Sequence, residues 1–391
     1  MRFHFDFANY FRMLRLAWGE RNPRARRVYL VKLLLWIPPV AAFHALCFLL
    51  DDLLFPGLRR TEIRTPVFVI GHARSGTTLV QHLMSRDPRF SVFRLYEMFF
   101  PSLLQKKAIR WAAGVDARRL SGFFERRVRA WEERRYAAVR AVHPMGLCEP
   151  EEDDQVLYYS CASGFWITKM PYMGDLDFYY VDRWPERKRR RVMRFYADCI
   201  RRQLYLNGGD RIHLSKNPVF PGRTRTLIET FPDARIVIPV RNPYETIPSL
   251  LKLMRSGWKG LGWDEARQRR CLAILADQSF DTYLYPFEVL ARHPEVRRAV
   301  IDYRDVVSDP AATIEGVYRA LGFEMTPELR DRLLAEGKRA REHRSGHRYS
   351  LAEFGLEADA IRTGLAELFE RYGWDDPSPG GPAPQEESHA S

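Results

Sequence analysis

The segment 71–78, GHARSGTT, constrains the fold more than any other part of this chain. It follows the short apolar run 66–71 (PVFVIG), which has the pattern of a buried strand, and it opens a helical stretch at 77–85. A glycine-containing loop in this context gathers backbone N–H groups and the positive end of a helix dipole around an anion. The segment therefore predicts a phosphate-binding loop inside an α/β fold.

The side chains of this loop limit which phosphate it can hold. Gly71 and Gly76 have the GxxxxG spacing of nucleotide-hydrolysing P-loops, but Thr77 stands where those loops have a lysine. That lysine neutralises the β- and γ-phosphates, and the next Ser or Thr holds magnesium. Without the lysine the loop suits one terminal phosphate, with charge from Arg74 and hydroxyl donors from Thr77 and Thr78.

The same five residues carry a family resemblance. The 5'-phosphosulfate loop of sulfotransferases that use PAPS (3'-phosphoadenosine 5'-phosphosulfate) has Arg or Lys followed by Ser, Gly, Thr and Thr after the first strand. This chain is similar, and the resemblance is to a bacterial branch related to the tyrosylprotein and cytosolic sulfotransferases. It implies PAPS as the sulfuryl donor, bound by Arg74, Ser75, Gly76, Thr77 and Thr78.

A second segment, 234–250 (ARIVIPVRNPYETIPSL), extends the resemblance. It is a predicted strand that runs into Arg241, with Ser249 eight residues later on the following helix. Sulfotransferases carry an Arg and a Ser at this spacing, which implies that the two residues hold the 3'-phosphate of PAPS. Physically, a guanidinium binds phosphate through two hydrogen bonds, and a Ser two turns along the helix can face back toward the strand end.

Sulfuryl transfer needs a cation at the leaving oxygen and a base for the acceptor proton. Lys216 follows the predicted strand 211–215, and strand ends line the ligand crevice of an open parallel sheet. Similar sulfotransferases place a lysine there, so Lys216 is the predicted catalytic cation. Glu97, just after the predicted strand 91–95, is the predicted base, because tyrosylprotein sulfotransferases and their bacterial relatives carry a Glu in this region. A helix-capping role for Glu97 stays equally open, and the next candidates for the base are His143, His213 and His347.

Two further segments resemble the same bacterial branch. The acidic segment 143–154 (HPMGLCEPEEDD) either lines the acceptor side or caps the next helix, and both interpretations remain open. The segment 346–356 resembles a late family segment that is expected to fold over the nucleotide. That likeness makes three more residues candidates for donor binding: His347, Arg348 and Tyr349.

The order of elements predicts the fold class. Strand patterns alternate with helical stretches, so we expect a mainly parallel α/β sheet flanked by helices, the sulfotransferase fold. We expect the catalytic domain at 61–375, a disordered tail at 376–391 and a basic, aromatic helical cap at 104–142. The expected strands are 66–71, 91–95, 211–215, 234–240 and 299–303, and the expected helices are 77–85, 186–206, 222–231, 243–255 and 264–291.

The first 60 residues form a separate prediction. Seven arginines within residues 1–27 precede the apolar stretch 28–50, whose 23 residues could span a bilayer. Pro38 and Pro39 should break a helix there, and basic residues on both flanks favour the cytoplasmic face for both ends. We therefore expect a re-entrant or surface-lying helical hairpin, with the enzyme monotopic on the cytoplasmic face of a bacterial membrane. A helix pair that only covers the catalytic core is the alternative.

Composition adds limits of its own. The formal net charge of +13 favours anionic partners without choosing among a nucleotide, a membrane surface and nucleic acid. Five scattered cysteines show neither a disulfide framework nor zinc spacing, so we expect a reducing compartment and no metal.

Together these features predict transfer of a sulfuryl group from PAPS to an acceptor hydroxyl, giving a sulfate ester and 3',5'-ADP. The membrane-seated N-terminus favours a lipid or another amphiphilic alcohol as acceptor. One alternative is a P-loop kinase or NTPase that uses 299–302 (AVID) as a weak Walker-B strand, but the loop lacks the required lysine. The other is a membrane- or nucleic-acid-binding module built on the basic run 185–195. That run has no aromatic stacking platform beside it, and nucleic acid is not an expected partner.

Overall fold

The structure, a computed structural model, describes residues 2–140, 145–341 and 350–375. Its strands are β1 (Val67–Val69), β2 (Phe90–Ser91), β3 (Ile212–Lys216), β4 (Arg235–Val240) and β5 (Arg298–Asp302). The helices of the first half are α1 (Phe7–Trp18), α2 (Pro23–Val31), α3 (Ile37–Leu54), α4 (Thr77–Met84), α5 (Leu95–Phe99), α6 (Leu103–Arg119), α7 (Phe123–Arg140) and α8 (Glu186–Leu206). Those of the second half are α9 (Thr224–Thr230), α10 (Pro243–Gly260), α11 (Glu265–Ala291), α12 (Tyr303–Ser308), α13 (Pro310–Leu321), α14 (Pro327–Arg341), α15 (Ala358–Gly364) and α16 (Ala366–Tyr372).

The five strands form one sheet in the order β2-β3-β1-β4-β5, and every neighbouring pair is parallel. The predicted parallel α/β fold is confirmed. The strand predicted at 91–95 is shorter than expected and is shifted to Phe90–Ser91, because α5 already begins at Leu95. The central strand β1 has β3 on one side and β4 on the other, so the chain changes direction across the sheet there. Such a switch point opens a ligand crevice at the carboxyl ends of the strands.

Alternation along β1 divides the core into two layers. Val67 and Val69 face one layer, where they join apolar residues of α4, α13 and α14. Phe68 and Ile70 face the other and larger layer, which includes residues of α8, α9, α10 and α11. Both faces of the sheet are therefore covered by helices, as a parallel sheet requires.

The N-terminal helices pack into the larger of these two layers. Met13, Leu33, Ile37 and Phe48 are fully buried there. At the end of α3, the Asp51 carboxylate and the Arg202 guanidinium of α8 form an ion pair at 2.7 Å, with both side chains out of contact with solvent. The predicted boundary near residue 60 therefore lies within continuous packing.

The expected break at Pro38 and Pro39 is wrong. From Pro23 to Leu54 the chain is one helix, in which a π-helical turn, Lys32–Trp36, joins α2 to α3. The N–H of Ile37 donates to the carbonyl of Lys32, five residues back. This wider turn stands just before the two prolines, at the start of α3 where their missing N–H groups and bulky rings are tolerated. The helical hairpin predicted for 28–50 is accordingly replaced by one 32-residue helix, long and apolar enough to cross a membrane.

Candidate active site

The loop after β1 has the strained backbone that a phosphate loop needs. Arg74 and Gly76 both adopt left-handed conformations, with φ of 73° and 91°. A Cβ atom at Gly76 would lie 2.5 Å from the ring of Tyr303, and one at Gly71 would lie 2.7 Å from the carbonyl oxygen of Pro239. Only glycine fits at either position. The loop ends at Thr77, where α4 begins, and no side chain of the N-cap residue Gly76 caps the first N–H groups of this helix.

The structure brings together the basic residues that the sequence assigned to two different phosphates. Arg74 Nε donates to Ser249 Oγ at 3.1 Å. The Arg241 guanidinium lies 4.4 Å above the Tyr303 ring, approaches the carbonyl of Arg74 at 3.5 Å and pairs with Glu245. Two cations and a buried hydroxyl therefore form a single cluster beside the loop, suited to a dianionic group.

Lys216 lies next to this loop through the sheet itself. It ends β3 and is paired in register with Val69, the last residue of β1. Its side chain is completely buried, and its ammonium donates to Glu152 Oε1 at 3.0 Å. A buried cation at the strand end is thus held by one carboxylate that belongs to a distant part of the chain.

The acidic run 151–154 divides into two pairs with different environments. The Asp153 carboxylate is buried and receives hydrogen bonds from Tyr196, His213, Ser215 and Asn217. Asp154 is also buried, accepts hydrogen bonds from the Ser163 hydroxyl and the Gly164 N–H, and forms an ion pair with Arg223. Glu151 and Glu152 instead line a cavity. The two aspartates therefore anchor the segment to the interior, and the two glutamates face the cavity.

That cavity has a volume of about 290 Å³ and opens next to the phosphate loop. Its polar lining consists of Arg74, Thr77 and Thr78 of the loop and of Glu151, Glu152, Gln155, Thr168, Tyr179, Gln278, Ser279 and Thr282. The rest of its wall is mostly apolar and comes from the segments around 145 and 165, from the turn after β3, and from α10 and α11. The apolar residues of this wall are Met145, Phe165, Ile167, Pro218, Val219, Leu250, Leu253, Met254 and Leu275.

His72, at the start of the loop, also lines the cavity. Its ring stacks on Tyr283 at 5.0 Å, and its Nε2 is 2.9 Å from Ser279 Oγ. Burial lowers the pKa of His72 to about 4, so the imidazole is neutral near pH 7. A neutral ring with both nitrogens hydrogen-bonded positions the loop rather than adding charge to it.

Glu97 has the surroundings of a structural cap. Its side chain is completely buried, and its carboxylate accepts hydrogen bonds from the N–H of Arg94, the Tyr96 hydroxyl, Arg110 and Gln203. Glu97 is the third residue of α5, and its bond to the N–H of Arg94 completes a capping box at the start of this helix. It is not among the residues that line the cavity. The geometry thus favours the capping interpretation that the sequence left open.

The remaining predicted residues are placed as follows. Ser75 lies in the loop and its hydroxyl donates to the carbonyl of His72 at 2.6 Å. His213 belongs to β3 and its side chain is buried, with Nε2 3.0 Å from the Asp153 carboxylate. His143, His347, Arg348 and Tyr349 lie outside the described residues. Sequence reasoning missed Glu152, although its acidic neighbourhood next to Pro150 was the signal that could have found it.

Comparison with known proteins defines the class. The sulfotransferase family profile matches residues 66–327, which is more than half of the chain, and the chain belongs to that family. It therefore is an enzyme that transfers a sulfuryl group, and the kinase and binding-module alternatives are set aside.

Particular relatives refine this result. The omega-hydroxy-beta-dihydromenaquinone-9 sulfotransferase Stf3 of Mycobacterium bovis is 27% identical over 80% of this chain and 76% of its own length. The protein of the same name from Mycobacterium tuberculosis has the same identity and the same coverage. In fold, the chain is similar to sulfotransferase STF9 of Mycobacterium avium, with a TM-score of 0.70, 18% identity and coverage of 96% and 94% of the two chains. It is also similar to sulfotransferase STF1 of Mycobacterium tuberculosis, with a TM-score of 0.66, 18% identity and coverage of 93% of this chain and 94% of the other.

Proposed function

We propose that this enzyme transfers the sulfuryl group of PAPS to the hydroxyl of a lipid-like alcohol, at the cytoplasmic face of a membrane. One observation carries the proposal: residues of the phosphate loop, a carboxylate paired with Lys216 and an apolar wall all border one cavity. Such a cavity can hold a phosphosulfate at its polar end and an apolar acceptor along its wall.

In this proposal the donor is held by backbone and side chains together. The loop residues Ser75, Gly76, Thr77 and Thr78 bind the 5'-phosphosulfate through N–H groups and hydroxyls at the start of α4. Arg241 and Ser249 bind the 3'-phosphate. Because Arg74 contacts Ser249, we assign Arg74 to the same anion-binding cluster as Arg241 and Ser249. His347, Arg348 and Tyr349 stay predicted donor ligands.

The chemical step needs no other reactant. The acceptor oxygen attacks sulfur, and the bond between sulfur and the bridging oxygen of the 5'-phosphate breaks. The proton of the acceptor passes to a carboxylate, and the electron pair stays on the bridging oxygen of 3',5'-ADP. Lys216 neutralises the charge that develops on this oxygen, which lowers the barrier because a buried ammonium acts at low dielectric.

For the base we propose Glu152 in place of Glu97. The Glu152 side chain faces the cavity and is 21% exposed, whereas the Glu97 carboxylate is saturated with hydrogen bonds in the interior. A base must reach the proton that it removes, and Glu152 alone of these two borders the space available to an acceptor. The ion pair with Lys216 also places the base and the cation at one point.

The acceptor class rests on two supports. The accessible surface of the cavity wall is mostly apolar, from Leu, Met, Val and Phe side chains among a smaller polar part, and this favours a hydrocarbon over a charged group. The curated relatives are named for a hydroxylated menaquinone, a lipid alcohol, as their substrate. We therefore propose a lipid-like acceptor for this chain as well.

The apolar helix Pro23–Leu54 supports the proposed membrane seating. Leu33 and Ile37 of this helix are buried against the core, while Leu35, Leu49 and Leu53 are 67–75% exposed. A helix held on one side by the core and apolar on the other lies along a membrane surface more readily than across it. A C-terminal alkaline phosphatase fusion, which needs the periplasm, should therefore be inactive, and the protein should require detergent for extraction. Activity of that fusion would contradict the cytoplasmic placement.

The direct test of function uses labelled PAPS and a lipid extract of the host. The enzyme should form a labelled product that partitions into organic solvent, and mass spectrometry should show the added mass of a sulfate ester. Lys216→Ala protein is the matched control, because it keeps the loop and the cavity but lacks the proposed catalytic cation. Label confined to water-soluble products, or equal labelling by the control, would contradict the proposed function.

A further inference from the structure

The helical hairpin of α6 and α7 has an unusual surface. Within α7 almost every described side chain from 123 to 137 is exposed, so this helix is only loosely attached to the rest of the protein. Large apolar side chains are among the exposed ones. They are Phe123 (46% exposed), Phe124 (57%), Val128 (44%) and Trp131 (46%).

Three of these side chains lie on one face of the helix. Phe124, Val128 and Trp131 have the spacing i, i+4 and i+7, which puts them in a single stripe. Leu120 and Phe123 add apolar surface at the turn between the two helices. An amphipathic helix is normally stabilised by burying its apolar face against another surface. Here that face is exposed to water, which is typical of a surface that contacts a partner.

The charge of the hairpin indicates what it contacts. Residues 103–140 contain eleven Lys and Arg against four Asp and Glu. Arg118, Arg119, Arg126 and Arg127 surround the apolar turn, and the Arg127 guanidinium lies 5.6 Å over the Phe123 ring. Aromatic and aliphatic side chains within a cluster of arginines are typical of helices that bind the interface of an anionic bilayer.

The position of the hairpin links two parts of the molecule already assigned to a lipid. At its start, Leu104 N–H donates to Asp51 at the end of the apolar helix α3, at 2.7 Å. Further along, the Glu132 carboxylate of α7 accepts the N–H of Leu147 at 2.5 Å. Met145, two residues before Leu147, lines the cavity. The hairpin therefore connects the apolar N-terminal helix to the cavity wall.

We infer that the α6–α7 hairpin docks on an anionic lipid bilayer through the stripe of Phe124, Val128 and Trp131. Docking there, next to Met145, gives an acceptor that is dissolved in the bilayer a short path into the cavity. The docking step stands on the surface of the hairpin alone, whereas the delivery of an acceptor rests on the function proposed above.

Two labels on the same helix test the docking. The full-length protein carrying Cys148→Ser, which removes the one exposed cysteine among the described residues, is labelled with the fluorophore NBD at Val128→Cys or at Ala130→Cys. Residue 128 lies in the stripe, and residue 130 is also exposed but lies outside the stripe. Vesicles of phosphatidylglycerol and phosphatidylcholine should shift the emission of the label at 128 to the blue. The label at 130 should not shift, and pure phosphatidylcholine should give a weaker response that salt does not alter.

This design separates docking by the hairpin from anchoring by α3. If α3 alone holds the protein on vesicles, the protein will float with them while the label at 128 stays in water, and the inference is overturned. Equal emission shifts at 128 and 130 would also overturn the inference, because the helix would then not face the bilayer with its apolar stripe. Equal responses to neutral and anionic vesicles would remove the role assigned to the arginines.

Activity provides the second arm. The double variant Phe124→Ser/Trp131→Ser should sulfate an acceptor embedded in vesicles several-fold more slowly, and should sulfate a short-chain soluble alcohol at the rate of the unmodified enzyme. Leu334→Ser, on the exposed face of α14 (48% exposed), is the matched control and should change neither rate. Loss of both rates in the double variant would point to misfolding and count against delivery. If no variant sulfates any lipid, the proposed acceptor fails while the label experiment still decides the docking.

Discussion

The proposed donor end and the proposed acceptor cavity of this enzyme are built in opposite ways. The proposed donor end consists of two short contiguous segments, 71–78 and 241–249, which bring the backbone of the loop close to a few cations. The acceptor cavity takes its wall from several separate parts of the chain, each contributing a few apolar side chains.

This difference follows from what each half recognises. Phosphate groups have fixed geometry and charge, so the loop that binds them is held to particular residues at fixed spacing. A hydrocarbon is recognised by shape and burial, and many combinations of Leu, Met, Val and Phe satisfy that requirement. We therefore expect substitutions at the donor end to cause sharp losses, and substitutions in the cavity wall to cause graded ones.

Replacing each of the two candidate bases, Glu152 and Glu97, by glutamine should give the largest difference in activity between two variants. Glu152→Gln should lower kcat by about 10²- to 10⁴-fold, because the acceptor proton loses its base. Glu97→Gln should keep most of the activity of the folded protein but cost about 1–3 kcal/mol of unfolding free energy, since it disturbs a buried hydrogen-bonded cap. Steady-state kinetics and urea unfolding measure the two effects, and the reverse pattern would restore Glu97 as the base.

The catalytic cation comes next. Lys216→Ala should lower kcat by roughly 10²- to 10³-fold, because the leaving oxygen would develop its charge without a partner. Calorimetry with 3',5'-ADP serves as the control and should show a much smaller change in affinity. Near-normal turnover in this variant would mean that the buried Lys216–Glu152 pair is structural.

Removing the Arg241 side chain should have a smaller effect than the two substitutions above, and the effect should be on donor selectivity. Arg241→Ala should weaken binding of 3',5'-ADP by about 2 kcal/mol, roughly thirtyfold, and leave 5'-AMP nearly unaffected, because only the former has a 3'-phosphate. Titration calorimetry of both nucleotides against both proteins measures the difference. If the unmodified enzyme binds the two equally, the 3'-phosphate does not sit on Arg241 and Ser249.

The cavity wall should give the smallest effect. Leu253→Asp should raise the KM for a long-chain acceptor by about tenfold, or ~1.4 kcal/mol, since one apolar contact surface becomes charged. The affinity for 3',5'-ADP should not change. Leu334→Asp, at an equally exposed apolar position on α14, controls for a general effect of the new charge. An equal loss for short and long acceptors would show that Leu253 does not contact the hydrocarbon.

Much of the fold was predictable because its signals are local. Four of the five strands and the main helices lie where apolar runs and turn residues predicted them, and the parallel sheet follows from their alternation. The errors have physical causes. Pro38 and Pro39 do not break the helix because a π-helical turn precedes them, and β2 is short because a capping box starts α5 early.

The sequence by itself predicted the loop 71–78, Arg241 eight residues before Ser249, and Lys216 at a strand end, because each depends on residue type and spacing within one short segment. Only the tertiary structure decided that Arg74 joins the cluster of Arg241 and Ser249 and that Glu152 meets Lys216. It also decided which carboxylates of the run 151–154 are anchors and which face the cavity. The Arg74–Ser249 and Glu152–Lys216 contacts join residues 64 or more positions apart, and burial and geometry set them only once the sheet has brought its strand ends together.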